Sequence, residues 1–492
     1  MRVLFVAEGT YPYVMGGVST WCNQIVQGLP EHQFTVVAIT GPLPSVAAYP
    51  RPKNVNKLTT LPIWRPRELP AANKVDIEIF DEAILDFLAF IEKDGDRFAS
   101  GLMDLARLGD RVNIWPLFER RKIWHIIHKK LSQELNTKPP LAEIAIAVNW
   151  LKSALSPLLF IPPKADIAHT VSNGLASLVA FVASRAHGIP LVLTEHGVYL
   201  RERYLAFSDE QDPYSVKYFR ASFYKTLASL VYARADLTLS VSEFNRKWQL
   251  ELGSAEKRTK VIPNGVDQSK FEDFSEKSEE KPTISWIGRI DPLKDVETLI
   301  RAFSIVKKEI PDAKLDLYGP IPEGNEYYHE GLVALIEELE LDSVSFKGRV
   351  NSSKIVFENS DLMAISSVSE GSPYVVIEAM MSARAVVATR VGGVGELLAN
   401  TGILVPAQNP REFARGLLTV LADKNFRKVL GKRARERALK YYTLDKMLAN
   451  YDRVYKSLKS ISKHSQKDIF NDIEPKETIN INKKIDFDEV RL

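Results

Sequence analysis

Short apolar runs rich in β-branched residues recur along this chain, separated by longer stretches whose apolar positions fall three and four apart. RVLFVA (2–7), FTVVAIT (34–40), IAHT (167–170) and PLVLTEH (190–196) read as buried parallel strands, and DLTLSVS (236–242) and KVIPNGV (260–266) continue the series. Amphipathic helices at 18–29 and 175–187 lie between them. A charge-dense break, FEDFSEKSEEKP (271–282), reads as a linker. Beyond it the alternation restarts with TISWIG (283–288), KLDLYG (314–319), VSFKG (344–348), LMAISS (362–367), AVVATRV (385–391) and GILVP (402–406). Alternation of this kind on both sides of a break predicts two α/β domains, each a doubly wound parallel sheet.

The pattern also sets the boundaries. Residues 1–270 form the first domain, with a helical insertion at about 70–160 where strand signals vanish. Residues 271–440 form the second, 441–462 a C-terminal helix expected to pack back across the domains, and 463–492 a charged tail without periodicity.

Length agrees, since 492 residues exceed one ordinary core. A net charge of +3 on such a chain argues against a nucleic-acid binder. The single cysteine, Cys22, excludes an intrachain disulfide and a cysteine metal cluster, and suits a reducing cytoplasm. The apolar run at the N-terminus is too short for a signal peptide, and no window is long enough to span a bilayer. ERRKIWHIIHKKL (119–131) mixes cations with Trp124, Ile126 and Ile127. It reads either as a helix packing its apolar side inward or as a peripheral membrane contact.

Candidate chemistry gathers where strands end. Gly16 and Gly17 follow the first strand and precede a helix, where exposed amides can meet an anion, although the dinucleotide spacing is absent. GRIDPLKD (288–295) sets Arg289 and Lys294 beside a turn at a strand's carboxyl end, a pair suited to a diphosphate. His196-Gly197 closes another strand, facing the crevice expected where the two domains meet. In SEGSPYVVIEAMM, Glu370 and Gly371 precede Ser372-Pro373, read as a helix start with Ser372 as cap. Tyr374 opens that helix, and Glu378 lies within it among apolar residues, a costly place for a carboxylate unless a diol such as ribose meets it.

Taken together and in order, Gly16-Gly17, Glu195-His196-Gly197, Arg289 with Lys294, Glu370 with Glu378, and Gly392-Gly393 resemble the retaining nucleotide-sugar-dependent glycosyltransferases of family 4. The resemblance implies a GT-B fold: two Rossmann-like parallel-sheet domains facing a central cleft, here with a helical insertion in the N-terminal domain. It implies that Arg289 and Lys294 hold the donor diphosphate, that Glu378 binds the ribose and that Glu370 binds hexose hydroxyls. It places His196 at the donor sugar and Gly16-Gly17 near the phosphates or acceptor. Arg349 and Val350 would read the nucleobase through their backbone, and Gly371, Ser372, Pro373 and Tyr374 line the same loop. EGTYPYVMGGVSTWCNQIV (8–26) and TEHGVYLRERY (194–204) resemble the exopolysaccharide-synthesising members of the family, soluble cytoplasmic enzymes that use UDP-glucose.

The implied partners are a UDP-sugar donor and a saccharide acceptor, with no nucleic acid, no cofactor and no metal. Peripheral association with an inner-membrane polysaccharide export complex fits the same picture. A nucleotide-sugar epimerase of similar fold and a non-catalytic UDP-sugar-binding subunit are the competing readings.

Overall fold

The computed structural model describes residues 1–464, apart from 42–45, 64–67, 159, 210, 278 and 280; the expected tail lies, from 465 onward, outside the described residues. Two compact units emerge. The first comprises Met1–Ser240, Arg246–Val261 and the chain from Tyr451; the second comprises Val241–Asn245 and Ile262–Asn450.

The first unit is built on seven parallel strands: β1 (Arg2–Glu8), β2 (Gln33–Thr40), β3 (Val55–Pro62), β4 (Ile167–Thr170), β5 (Leu191–Glu195), β6 (Leu237–Ser240) and β7 (Thr259–Val261). They are ordered β3-β2-β1-β4-β5-β6-β7. The central strands are apolar on both faces because helices cover both, the usual condition of a parallel sheet. Strand β3 is absent from the sequence reading. It sits at the sheet edge, and Asn56 and Lys57 face solvent, so its run lacks the apolar density of the others.

Four helices, Lys74–Phe87, Gly95–Gly109, Arg121–Leu135 and Leu141–Leu155, fill the chain between β3 and β4. They are part of the unit's own core. Phe87, Phe90 and Phe98 interlock with Phe223 of the helix Tyr214–Arg234 at ring separations of 5.2–6.3 Å. The segment 119–131 turns its apolar side inward. Ile123, Ile127 and Leu131 are fully buried, and the Trp124 indole donates to the Phe118 carbonyl at 3.2 Å. Three of its cations are paired, Arg120 and Lys122 with Asp81 and Lys130 with Glu92. The apolar residues that a lipid contact would need therefore belong to the interior.

The second unit holds six parallel strands: β8 (Thr283–Ile287), β9 (Lys314–Tyr318), β10 (Val344–Gly348), β11 (Leu362–Ile365), β12 (Ala385–Thr389) and β13 (Ile403–Val405), ordered β10-β9-β8-β11-β12-β13. Both sheets are Rossmann-like. Segment 271–282 is not a free linker, because Phe271 and Phe274 join a core cluster of this unit and Arg384 lies 5.7 Å over the Phe274 ring. The final helix, Leu444–His464, crosses the division of the chain. Tyr455 packs in the first unit, where its hydroxyl meets Nδ1 of the buried His169 at 2.7 Å. Among the described residues no helix is long and apolar enough to cross a membrane.

Candidate active site

In each sheet the strand order reverses once, between β1 and β4 and between β8 and β11. At such a reversal the loops leaving the two strands turn opposite ways and open a crevice beyond their carboxyl ends. In the second unit β8 leads into Gly288–Asp295 and β11 into Ser366–Ser372, so the two loops that sequence singled out lie side by side.

They are stitched together. The Ser366 hydroxyl donates to the Lys294 carbonyl at 2.7 Å, and the Val368 amide donates to the Leu293 carbonyl at 2.9 Å. Lys294 Nζ then lies 2.5 Å from Glu370 Oε1, which also accepts from the buried Ser367 hydroxyl at 2.7 Å. Arg289, well exposed, has its Nε 3.1 Å from Asp291 Oδ2. The structure therefore brings Lys294 and Glu370 together, with Gly371 next in the same loop and Arg289 at the start of the loop that carries Lys294, and each cation leans on an acid.

The glycines downstream are the back wall of this loop. Gly392 has a left-handed φ of +51°, and a Cβ there would fall 1.5 Å from the Glu370 carbonyl oxygen. The Gly393 amide donates to the Gly371 carbonyl at 3.1 Å. A Cβ on Gly393 would fall 2.2 Å from that same oxygen, so neither position is open to a residue with a side chain.

The helix Tyr374–Met381 differs from expectation at its start. Pro373, not Ser372, stands at the N-cap, and no side chain caps the helix. The Ser372 hydroxyl is buried with no hydrogen-bond partner, and the loop is anchored instead through the Ser372 carbonyl, which accepts from Asn264 Nδ2 at 2.8 Å. Glu378, half-buried, lies as expected among the buried Val376, Ile377, Ala379 and Met380. Burial raises its pKa above the ordinary carboxylate value, and a hydrogen bond from Ser353 opposes that rise. Arg349, exposed, and Val350, half-buried, follow Gly348 at the end of β10, two strands away from β8.

In the first unit Gly16 and Gly17 are exposed at the start of the helix Gly17–Gly28, which has no side-chain cap. Gly16 is extended (φ 170°), and a Cβ on it would meet nothing within 4 Å. Neither the backbone nor the neighbouring protein demands a glycine there. His196 follows β5, half-buried, with its ring edge-to-face on Trp21 at 4.7 Å. Burial lowers its pKa to about 3, so the imidazole is neutral at physiological pH.

Two acids that the motifs contain, and to which sequence reasoning gave no role, hold this edge. Glu8, at the carboxyl end of β1, accepts from the Ala176 amide at 3.1 Å and from the Tyr199 hydroxyl at 3.0 Å. Glu195 is completely buried and accepts from the Tyr199 amide (3.2 Å), the Tyr232 hydroxyl (2.6 Å) and Gln249 Nε2 (3.0 Å). An acid ending an otherwise apolar strand was the available signal at both positions.

Comparison with known proteins agrees with this architecture. Residues 1–257 match the family described as "Domain of unknown function (DUF3492)", and residues 267–437 match "Glycosyl transferases group 1". An N-acetylgalactosaminyltransferase of Campylobacter jejuni acting on a diphospho-undecaprenol saccharide is 33% identical over 238 residues, 46% of this chain and 62% of that protein. The sulfoquinovosyl transferase SQD2 of Arabidopsis thaliana is 26% identical over 301 residues, 56% of this chain and 54% of that protein. The chain thus spans little more than half the length of these curated relatives. Among solved structures, sucrose-phosphate synthase from Thermosynechococcus elongatus superposes with a TM-score of 0.62 at 17% identity, covering 94% of this chain and all of that one. Anabaena HepE in complex with UDP and glucose gives a TM-score of 0.60 at 16% identity, covering 93% and 100%. At these identities the likeness establishes the fold, which is GT-B.

Proposed function

The chain belongs to the DUF3492 family, and its residues 267–437 match the group 1 glycosyltransferases; from that premise we propose that it is a retaining hexosyltransferase. The donor is a UDP-sugar, in the first instance UDP-glucose, and the acceptor is a saccharide. The observation that carries the reading is the Lys294–Glu370 pair with Arg289 beside it, at the strand reversal of the second sheet.

In this reading the donor diphosphate competes for Lys294 and Arg289, both of which lean on acids that a more highly charged anion can displace. Glu370, relieved of Lys294, turns its carboxylate to the hexose hydroxyls. Glu378 takes the ribose diol, and the loop Gly371-Ser372-Pro373-Tyr374 presents the uncapped helix amides to the phosphates. Arg349 and Val350 meet the base. Gly16-Gly17 lets an oxygen-rich ligand approach the first unit's backbone, and His196, being neutral, offers a hydrogen bond rather than a charge to the sugar.

The anomeric C–O bond to the diphosphate breaks while the acceptor oxygen bonds to the same face of that carbon. The acceptor proton passes to the departing phosphate oxygen. Charge grows on the diphosphate as the bond lengthens, and two cations with a helix N-terminus stabilise it most at that moment. This division of labour needs neither a cofactor nor a metal ion.

The resemblance of segments 8–26 and 194–204 to the Pel exopolysaccharide glycosyltransferases supports a role in exopolysaccharide synthesis in the cytoplasm, at the inner face of the membrane. With the apolar side of 119–131 turned inward, docking there falls to a protein of the export machinery. A screen of UDP-, GDP- and ADP-hexoses, following nucleotide release with and without oligosaccharides and the anomeric configuration by NMR, tests the reading. UDP-hexose turnover with retention is expected. A changed sugar from donor alone would establish an epimerase instead, and binding of UDP without turnover would establish a binding subunit.

A further inference from the structure

Tyr199 stands three residues beyond His196, and both ends of it are held by acids, the buried Glu195 and the half-buried Glu8. Its backbone amide donates to Glu195 and its phenol donates to Glu8. Glu195 also takes Tyr232 from the helix Tyr214–Arg234 and Gln249 from the helix Glu243–Glu251, so its carboxylate joins β5 to three separate helices. Glu8 joins β1 to the amide end of the helix Leu175–His187.

The ring of Tyr199 is fitted as closely as its two ends. A Cβ on Gly174 would fall 2.4 Å from the phenol ring and 2.6 Å from Glu8 Oε2, so glycine is required for the ring to lie there. Tyr224 packs on it at 5.5 Å, and the Arg203 guanidinium lies 5.9 Å over it. The intervening turn is equally close: a Cβ on Gly197 would fall 1.8 Å from Glu202 Oε1, and the Glu202 amide donates to the Val198 carbonyl at 3.0 Å. His196 therefore rides on a three-residue turn whose two flanks, Glu195 and Tyr199, are locked.

A chain that needed only stability would not choose this arrangement. Two carboxylates and two phenols in a core raise desolvation costs that apolar residues of the same volume avoid. What such a network supplies is a single geometry for the groups it holds. We propose that Tyr199, clamped by Glu195 and Glu8, is a positioning residue that fixes the His196–Gly197 turn for sugar transfer; this rests on the glycosyltransferase reading of His196 given above.

The test uses the full chain and UDP-glucose, with UDP release as the readout. Tyr199→Phe removes the phenol's bonds to Glu8 and Tyr224 and leaves the ring in place. It should lower kcat about 10-fold, since small misplacements of a positioned group have effects of this order. The KM for UDP-glucose and the affinity for UDP, set in the second unit, should stay within about 2-fold. Phe219→Leu, a substitution in the same core away from the turn, serves as a control matched for lost stability, with both assayed well below their melting midpoints. Equal losses of kcat in the two variants, or no loss in Tyr199→Phe, would overturn the proposal. A second readout does not depend on turnover. Amide hydrogen exchange at residues 195–199 should quicken about 10-fold in Tyr199→Phe and in Glu195→Gln, and not in Phe219→Leu. Unchanged exchange there sinks the clamp even if the enzyme is a transferase. Faster exchange in a chain that turns over no donor would leave the clamp standing and remove the function instead.

Discussion

At the carboxyl edge of the first sheet, Glu195 accepts three hydrogen bonds from groups of the protein's own core, and Glu8 accepts two in the same way. At the corresponding edge of the second sheet, Glu370 accepts from Lys294 and Ser367, while Arg289 leans on Asp291 with most of its guanidinium in solvent. The two edges share a topology and differ in what their polar groups are for. In the first, carboxylates are fully committed inside the fold, and they hold a shape. In the second, each cation stands against an acid, and Arg289 keeps most of its side chain in solvent, where a partner can be exchanged at little cost. A parallel sheet with one strand reversal thus supports either a rigid mount or an exchangeable charge relay, depending on whether its acids face the fold's own amides and hydroxyls or the cations of a loop.

The hardest test of the exchangeable edge is Lys294→Ala. If Lys294 leaves Glu370 for the diphosphate, its loss should lower kcat roughly 10²–10³-fold, the range for losing one donor to a developing anion. Ground-state donor binding should suffer far less. Added EDTA should leave the wild-type rate unchanged, and a strict requirement for a divalent ion would remove charge stabilisation from these side chains.

The rigid edge is tested by pH. Burial raises the pKa of Glu195 to about 7 from an ordinary 4.5, with Tyr232, Gln249 and the Tyr199 amide opposing that rise. The folded state therefore holds this proton more tightly than the unfolded chain does. Its contribution to stability is fully present below about pH 4.5 and is lost as pH rises through about 7. Between pH 5 and 8 wild type should lose roughly 3 kcal/mol at most relative to Glu195→Gln, which has no such proton to release. Parallel denaturation midpoints for the two proteins across that window would show that Glu195 is not the group responsible.

How much of this was legible in the chain follows from which interactions are local. Among the described residues, twelve of the thirteen strands announce themselves as β-branched runs, and the missing one, β3, is an edge strand with solvent-facing Asn56 and Lys57. The linker reading of 271–282 failed because charge hid two buried phenylalanines, Phe271 and Phe274. At the candidate site, Arg289, Lys294, Glu370 and Glu378 could be named from type and position. The Lys294–Glu370 pair could not be, since 76 residues separate its members and only the β8–β11 pairing joins them. Nor was the Tyr199 clamp visible: Glu8 and Glu195 are 187 positions apart, and periodicity carries no information on contacts of that span.

A smaller effect separates the two acids of the second edge. Glu378→Gln should weaken UDP binding by about 1–3 kcal/mol, the cost of a lost charge-assisted hydrogen bond to the ribose. Glu370→Gln should leave UDP affinity almost untouched and lower turnover. Equal losses of UDP affinity, measured by calorimetry, would merge the two roles and blur the contrast drawn between them.

The smallest expected effect sharpens the contrast most. The Ser372 hydroxyl is buried at the start of the helix Tyr374–Met381 and has no partner there. A buried hydroxyl without a hydrogen bond lowers stability, so removing it should be neutral or mildly stabilising, by about 0–1 kcal/mol. In the first unit the opposite holds, because Tyr232 and Tyr199 each give their hydroxyl to a carboxylate and Phe at either position should destabilise. If the second edge keeps polar groups for a ligand, Ser372→Ala should also weaken UDP binding by about 1 kcal/mol, one ordinary hydrogen bond. Thermal unfolding with and without UDP reads both quantities from one protein. A destabilised apo protein with unchanged UDP stabilisation would mean that Ser372 serves the fold, and the second edge would then be a rigid mount like the first.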